Sequence, residues 1–427
     1  MKLLSRRELL ARASTVVAAA AAAPRLLPSG VLAAGDTPGP NERIRVGAIG
    51  VGGRASLLLD QLPEGARLVA LSDCNLSRAE SFKAKRKGNW PIYQDYRKLL
   101  ERKDIDAVIV ATAEFQRVTP CIRAAEAGKD IYAEKPLTVY IREGRVLVEA
   151  VRRLNRIFQV GSQQRSMELN RIACEFIRKG GLGKLKEVRA VNYPGPGDSP
   201  ASLPEMPVPQ GLDWNMWLNQ TAMRPFNPEW MRWSKWREFA GGEMTNWGAH
   251  GVDQVQWALG MDGTGPAETW PITPGPNGQV GMRYSNGVEV HFILEKAPMG
   301  GAIFIGENGK LEINRNKFAS NPKEIAAALI AKVDAAEEER KWSDQTALWQ
   351  ARWHMQNWLD CIRTRARPVA DVEIGHRSIS VCHLANITRQ AGRRLRWDAA
   401  KEQFPDDAEA NKLLVRPRRA GFQLPGE

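Results

Sequence analysis

The feature that most limits what this chain can fold into is the run Arg43-Ile44-Arg45-Val46-Gly47-Ala48-Ile49-Gly50-Val51-Gly52-Gly53-Arg54-Ala55. A strand pattern runs straight into glycines and out into a helical stretch. The spacing Gly50-x-Gly52-x-x-Ala55 supplies a tight turn, a close backbone approach to a pyrophosphate and a small residue where helix meets strand, which is the dinucleotide fingerprint. Alone it is a weak signal. It gains weight because Arg67 to Asp73 reads as a second strand ending in an acid, about 20 residues downstream as the fingerprint requires. Asp73 can accept hydrogen bonds from a ribose and would repel a 2′-phosphate, which favours NAD; Arg78 nearby leaves NADP open.

The alternation continues. Helical patterns at 76–87, 96–102 and 119–127 separate a continuous apolar run, Asp106 to Thr112, from a short strand pattern around Ile131 that ends in Glu134-Lys135-Pro136. Four such βα units make a doubly wound parallel sheet the economical architecture. Ligands of open α/β sheets bind beyond the carboxyl ends of the strands, so Lys135 faces substrate and cofactor. A Lys-Pro pair by itself marks an ordinary surface turn; it is the context that makes Lys135 a candidate for the chemistry.

A helix over 143–154 and a strand over 157–160 end this domain. Beyond a helix at 167–179, strands are expected at 185–193, 267–271, 279–284, 288–295, 302–305 and 310–314, with Ser285-Asn286-Gly287 and Glu307-Asn308-Gly309 as hairpin turns. The fold class is therefore α/β: an N-terminal Rossmann doubly wound parallel sheet plus a C-terminal α+β domain with a mostly antiparallel open sheet. The divisions are a leader over 1–34, a nucleotide domain over 41–163 and a substrate domain over 164–427.

The leader rests on Ser5-Arg6-Arg7-Glu8-Leu9-Leu10, a twin-arginine pattern, followed by a nearly uncharged Ala/Val run from Ala13 to Ala23 that is too short to span a bilayer. An exported, periplasmic protein is expected, with the twin-arginine machinery as a partner. The formal charge is +13, spread along the chain, which argues for acidic substrates or surfaces and against nucleic acid. Five cysteines without paired spacing, and five scattered histidines, argue against a metal site, although an oxidising compartment permits one disulfide.

Thr245 to Leu259 reads as one helix closed by Gly260. Asn246, His250 and either Asp253 or Gln254 recur at three and four residues and share a stripe. A lone helical histidine is usually structural, but the preceding Gly241-Gly242 and the lysine motif make His250 a catalytic candidate. The other four, His291, His354, His376 and His383, lack such company. Seven tryptophans lie between Trp214 and Trp257; most are expected in packing or at a subunit contact, with Trp247 the one expected to floor a sugar pocket.

The ordered set of Gly50-Val51-Gly52, Ala125-Glu126-Ala127-Gly128-Lys129 leading to Glu134-Lys135-Pro136, Gly161-Ser162-Gln163-Gln164-Arg165, Gly241-Gly242-Glu243-Met244 through His250 to Asp253, and Glu373-Ile374-Gly375-His376-Arg377-Ser378 resembles the Gfo/Idh/MocA family of sugar and cyclitol oxidoreductases, in its exported branch. The resemblance implies that Lys135, His250 and Asn246 are catalytic and that the Lys135–Pro136 bond is cis. It places Gly50, Val51, Gly52, Gly53, Arg54, Asp73, Thr112, Glu134, Lys135 and Gln163 around NAD or NADP, and Lys135, Arg165, Trp247, His250 and Asp253 around a small carbohydrate, in a homo-oligomer. Two departures stand out. The family's Pro and histidine after Thr112 are replaced by Ala113-Glu114-Phe115-Gln116-Arg117, and its Asp-x-Gly-x-His reads Asn246-Trp247-Gly248-Ala249-His250. The implied activity is hydride transfer at a secondary hydroxyl of a sugar, glycoside or cyclitol. Two alternatives are a tightly held nucleotide recycled within each cycle and a non-catalytic sugar-binding protein on the same scaffold.

Overall fold

The computed structural model describes residues 42–333, 345–349 and 351–425; the expected leader and the charged stretch from Ala335 to Lys341 lie outside them. Strands β1 (Ile44–Ile49), β2 (Ala66–Ser72), β3 (Ile92–Tyr93), β4 (Ala107–Val110), β5 (Asp130–Ala133) and β6 (Phe158–Val160) form a parallel sheet in the order β3-β2-β1-β4-β5-β6. The order reverses between β1 and β4, so a crevice opens at their carboxyl ends. All residues of β4 and β5 are buried, as strands covered on both faces must be.

One face of this sheet packs on helices Val118–Glu126 and Ile141–Arg153. The other is covered in part from far along the chain: Met355, Trp358 and Leu359 of helix Arg352–Thr364 pack with Ile44, Val46, Ile109 and Tyr132. The expected division at residue 163 thus marks the end of the parallel sheet but not of its core. A local reading of sequence cannot see that a face left bare by its own domain is covered by a later helix.

The second sheet joins β7 (Leu185–Val191), β8 (Pro266–Pro271), β9 (Val280–Tyr284), β10 (Glu289–Leu294), β11 (Ala302–Gly306), β12 (Gly309–Ile313), β13 (Phe318–Asn321) and β14 (Leu395–Arg396) in the order β13-β12-β11-β7-β10-β9-β8-β14. Only β7 and β10 pair in parallel. The short β3, β13 and β14 carry too few residues for an alternation signal and were not anticipated. Helix Val372–Ala391 packs against both Ile141–Arg153 and helix Gly248–Leu259, fixing the second lobe against the nucleotide lobe. Among the described residues no helix is long and apolar enough to cross a membrane. All five cysteines are free, four of them buried, so the disulfide left open by the sequence is not formed.

The segment after β7 folds back over the first sheet. Leu76 N–H donates to Gly211 O, and Asp213 N–H to Cys74 O, both at 2.8 Å. Trp214 and Trp217 stack at 4.6 Å between ring centres and pack with Phe115, Phe226, Trp230 and Phe239, so the aromatic richness here is mostly core.

Candidate active site

The glycine turn after β1 lies at the carboxyl edge of the parallel sheet. Gly50 has φ +80, a left-handed conformation that favours glycine, and a Cβ there would lie 3.0 Å from the backbone of Ala111 and Thr112. A Cβ built at Gly52 or Gly53 would instead meet nothing within 4 Å. The helix Gly53–Asp60 begins there without a side-chain cap, leaving its first N–H groups toward open space. Asp73, at the end of β2, accepts from Val51 N–H at 3.0 Å and from Asn75 N–H at 2.9 Å, and Arg78 stands 3.6 Å from its carboxylate. These features flank a cleft of about 550 Å³ that also takes in Thr112, Glu134, Lys135 and Asn246, with Trp217 and Trp233 of the overlying segment as a further wall. An open cradle, an uncapped helix start and a buried acid at the second strand are what the pyrophosphate and ribose of a dinucleotide need.

Lys135 follows β5, and its bond to Pro136 is cis. Its Nζ donates to Asn246 Oδ1 at 2.8 Å and to Asn246 O at 3.1 Å. The second contact explains a departure from the expected single helix over Thr245–Leu259. Two helices are found, Glu243–Asn246 and Gly248–Leu259. At the break His250 N–H donates to Trp247 O, which leaves the carbonyl of Asn246 available to Lys135. Asn246 Nδ2 in turn donates to Glu243 Oε2 at 3.0 Å. The amide of Asn246 is therefore matched to a cation on one side and a carboxylate on the other, and its orientation is fixed by both.

Burial pulls the Lys135 amine down to about 8, against the opposing pull of Glu134. Glu134 is itself buried and paired with Arg54 at 2.8 Å. His250 is buried, and its ring has no hydrogen-bond partner among the described residues. Burial first, then the positive charges of Lys135 and Arg315, hold it well below the usual imidazole range, so it is neutral at neutral pH. Trp247 lies against it, edge to face at 6.0 Å.

Arg165 and Asp253, expected on the substrate side, are turned on each other. Arg165 Nε lies 2.8 Å from Asp253, its other end pairs with Asp262 at 2.6 Å, and Ser378 donates to Asp253 at 2.7 Å. Both are buried, so this is an internal ion pair that ties helix Gly248–Leu259 to its neighbours. Of the stripe Asn246, His250 and Asp253, Asn246 alone lines the cleft among the described residues, and Trp247 stands outside its lining as well. Gln163 is buried away from the cleft lining, and its neighbour Gln164 donates to Gly300 O at 2.6 Å.

Sequence reasoning missed four residues. Where the family pattern is broken, Arg117 donates to Thr112 O at 2.5 Å and to Pro136 O, and Glu114 Oε1 accepts from Gly241 N–H at 3.4 Å. Both are buried, and burial pushes the Glu114 carboxyl up to about 7. Two charges three residues apart in an otherwise apolar stretch were the available signal. Glu243, three residues before Asn246 at a helix start, offered a similar one. Arg315 offered none.

The sequence model for the NAD-binding Rossmann fold of the Gfo/Idh/MocA oxidoreductases matches residues 44–162, and that for the C-terminal alpha/beta domain of the same family matches residues 197–424. The chain belongs to the Gfo/Idh/MocA family. Its first domain is accordingly a NAD-binding domain. Among relatives, scyllo-inositol 2-dehydrogenase (NAD(+)) of Bacillus subtilis is 34% identical over 146 residues, 33% of this chain and 42% of the relative. The 2,7-anhydro-N-acetylneuraminate hydratase of Mediterraneibacter gnavus is 25% identical over 197 residues, 46% of this chain and 44% of the relative. The chain thus spans less than half the length of these two relatives. Among solved structures, the aldose-aldose oxidoreductase of Caulobacter crescentus superposes with TM-score 0.58 at 15% identity, over 83% of this chain and 99% of that one. The WlbA dehydrogenase of Bordetella pertussis, solved with NADH and UDP-GlcNAcA, gives 0.60 at 18%, over 84% and 99%. At such identities the likeness is one of fold.

Proposed function

We propose that this protein moves a hydride between NAD and a secondary hydroxyl of a sugar, glycoside or cyclitol. The observation that carries the reading is the Lys135 amine, held by both oxygens of Asn246 at the head of the glycine cleft. A neutral amine has two N–H donors and one lone pair. Asn246 engages two donors, so the remaining position on Nζ faces the reacting oxygen, as a third N–H in the ammonium or as a lone pair in the amine. With a pKa near 8, both forms are accessible around neutral pH. The ammonium polarises a carbonyl oxygen and gives up a proton on reduction; the amine receives the alcohol proton on oxidation. The neutral imidazole of His250 is a second acceptor. Bound NAD supplies the hydride acceptor, or as NADH the donor. Trp247 offers an aromatic face to the sugar's C–H groups.

A second reading is favoured by the wall that Trp217 and Trp233 form over the cleft, which supports retention of the nucleotide through the cycle. The twin-arginine pattern at Ser5-Arg6-Arg7 supports export to the periplasm as a folded protein, where a retained nucleotide would be an advantage. Exposed Arg189 and partly exposed His291 and Ile303, adjacent across β7, β10 and β11, support a homo-oligomer through the open sheet, measurable by light scattering. The deciding experiment is an NAD reduction screen over free sugars, glycosides, uronates and inositols, run with and without added NAD after dialysis. Lys135→Ala should abolish turnover while leaving nucleotide bound. Undiminished turnover in that variant would remove Lys135 from the mechanism, and turnover that needs no added NAD would select the second reading.

A further inference from the structure

Arg315 stands in the two-residue turn between β12 and β13, where Asn314 N–H donates to Lys317 O at 2.9 Å. Both turn residues, Arg315 and Asn316, have φ +34. Two left-handed positions in a tight hairpin call for Asn, Asp or Gly, and an arginine in the first of them is not chosen for the turn. Its side chain explains its presence. The guanidinium carbon lies 4.0 Å from the ring centre of Trp349 and 5.0 Å from that of Trp247. A Cβ placed on Gly300 would be 3.1 Å from His250 Cβ and 3.4 Å from Arg315 Cγ, so the stems of His250 and Arg315 converge on the same point.

Among the described residues Arg315 makes no ion pair and no side-chain hydrogen bond, and its Nε is buried without a partner. The charges that act on Arg315 or on the adjacent His250 are those of Arg54 and Lys135, with Glu134 and Glu243 beside them. Arg54 and Glu134 are paired with each other, and Glu243 is bonded to Asn246. Burial, with Arg54 nearby, pulls the Arg315 guanidinium down to about 10. A half-buried cation that no side chain among the described residues neutralises, stacked on Trp349 and near Trp247 beside the candidate catalytic histidine, is suited to an anion.

We propose that Arg315 recognises a carboxylate on the substrate, so that the sugar oxidised or reduced here is a sugar acid. A stacked guanidinium presents its edge, and two parallel N–H groups on that edge match the two oxygens of a carboxylate. The inference rests on the oxidoreductase reading only for placing the sugar beside His250.

The test is calorimetric titration of the NAD-saturated protein with glucuronate, galacturonate and gluconate, with the methyl esters or amides of the same acids, and with glucose 6-phosphate. Wild type should bind at least one acid about 10- to 100-fold more tightly than its neutral analogue, as expected for a charged hydrogen-bonded pair. In Arg315→Asn, which suits the left-handed turn and keeps the fold, that ratio should collapse toward one. The inference is overturned if no acid is preferred over its analogue, if the ratio survives the substitution, if the phosphate is preferred to every acid, or if Arg315→Asn weakens NAD binding instead. The two readings fail separately. Turnover of neutral sugars alone would leave the oxidoreductase standing without the acid, and acid binding through Arg315 without any hydride transfer would do the reverse.

Discussion

Replacing Asn246 by aspartate restores the residue that the family pattern carries, and the structure predicts a loss. The new carboxylate would stand 2.8 Å from Lys135 Nζ and, on its other side, 3.0 Å from Glu243 Oε2. At an effective dielectric of about 20, a unit charge at the first distance attracts the ammonium by about 6 kcal/mol, an upper bound of roughly four pKa units. The opposing repulsion from Glu243 is nearly as large, so the carboxylate pair would hold a proton or Glu243 would turn away toward solvent. Even a rise of one unit from about 8 lowers the neutral-amine fraction at pH 7 about tenfold. The assay is the pH dependence of kcat/KM for alcohol oxidation between about pH 6 and 10. The limb that reports Lys135 should move up by at least about one unit and the rate at pH 7 should fall about tenfold. Asn246→Asp combined with Glu243→Gln should remove the carboxylate repulsion and leave the limb raised. A rate gain at neutral pH, or an unmoved limb, would refute the assignment of Lys135 as the titrating group tuned by Asn246.

Asp73→Ala removes the acceptor of Val51 N–H as well as a ribose partner, so NAD binding should weaken and the preference over NADP should narrow. The orphaned N–H adds about 1–3 kcal/mol of lost stability, and an unchanged NAD/NADP affinity ratio by calorimetry would count against Asp73 at the ribose. Gly242→Ala would force a Cβ to 2.4 Å from Gly195 C at φ +71, displacing the helix that carries Asn246. It should lower Tm and abolish turnover together, and retained activity would show that the turn tolerates movement. Against the opposing effect of burial, Arg145 and Arg377 hold Glu373, and His376 with Arg145 holds Glu402, down to about 2, below their usual 4.5. A depressed carboxylate stabilises the fold above its unfolded pKa and loses that contribution as pH falls from about 4.5 toward 2. Glu402→Gln should therefore cost roughly 1–3 kcal/mol near neutrality and flatten the acid limb of a denaturation series, whereas a parallel shift at all pH values would place the effect elsewhere.

The nucleotide lobe was legible because its information is local. The fingerprint glycines, Asp73 and the apolar run of β4 each act through neighbours within a few residues or one βα unit, and the order of units leaves few topologies open. Lys135, Asn246 and His250 could be nominated from motif order alone. What sequence could not give was the geometry among them. Whether Asn246 has lost a charge or has been matched to Lys135 and Glu243 depends on contacts across 111 and three residues, respectively. Arg165 and Asp253 sit 88 residues apart and read as pocket residues until packing joined them in an internal pair. Arg315 carried no pattern, because its setting is made by Trp247, Trp349 and Gly300, which only the folded chain brings together. Periodicity and turn chemistry are short-range quantities and fix elements. The desolvation of a charge, and the partner that does or does not offset it, are properties of a three-dimensional neighbourhood, and here those neighbourhoods were decided by tertiary packing.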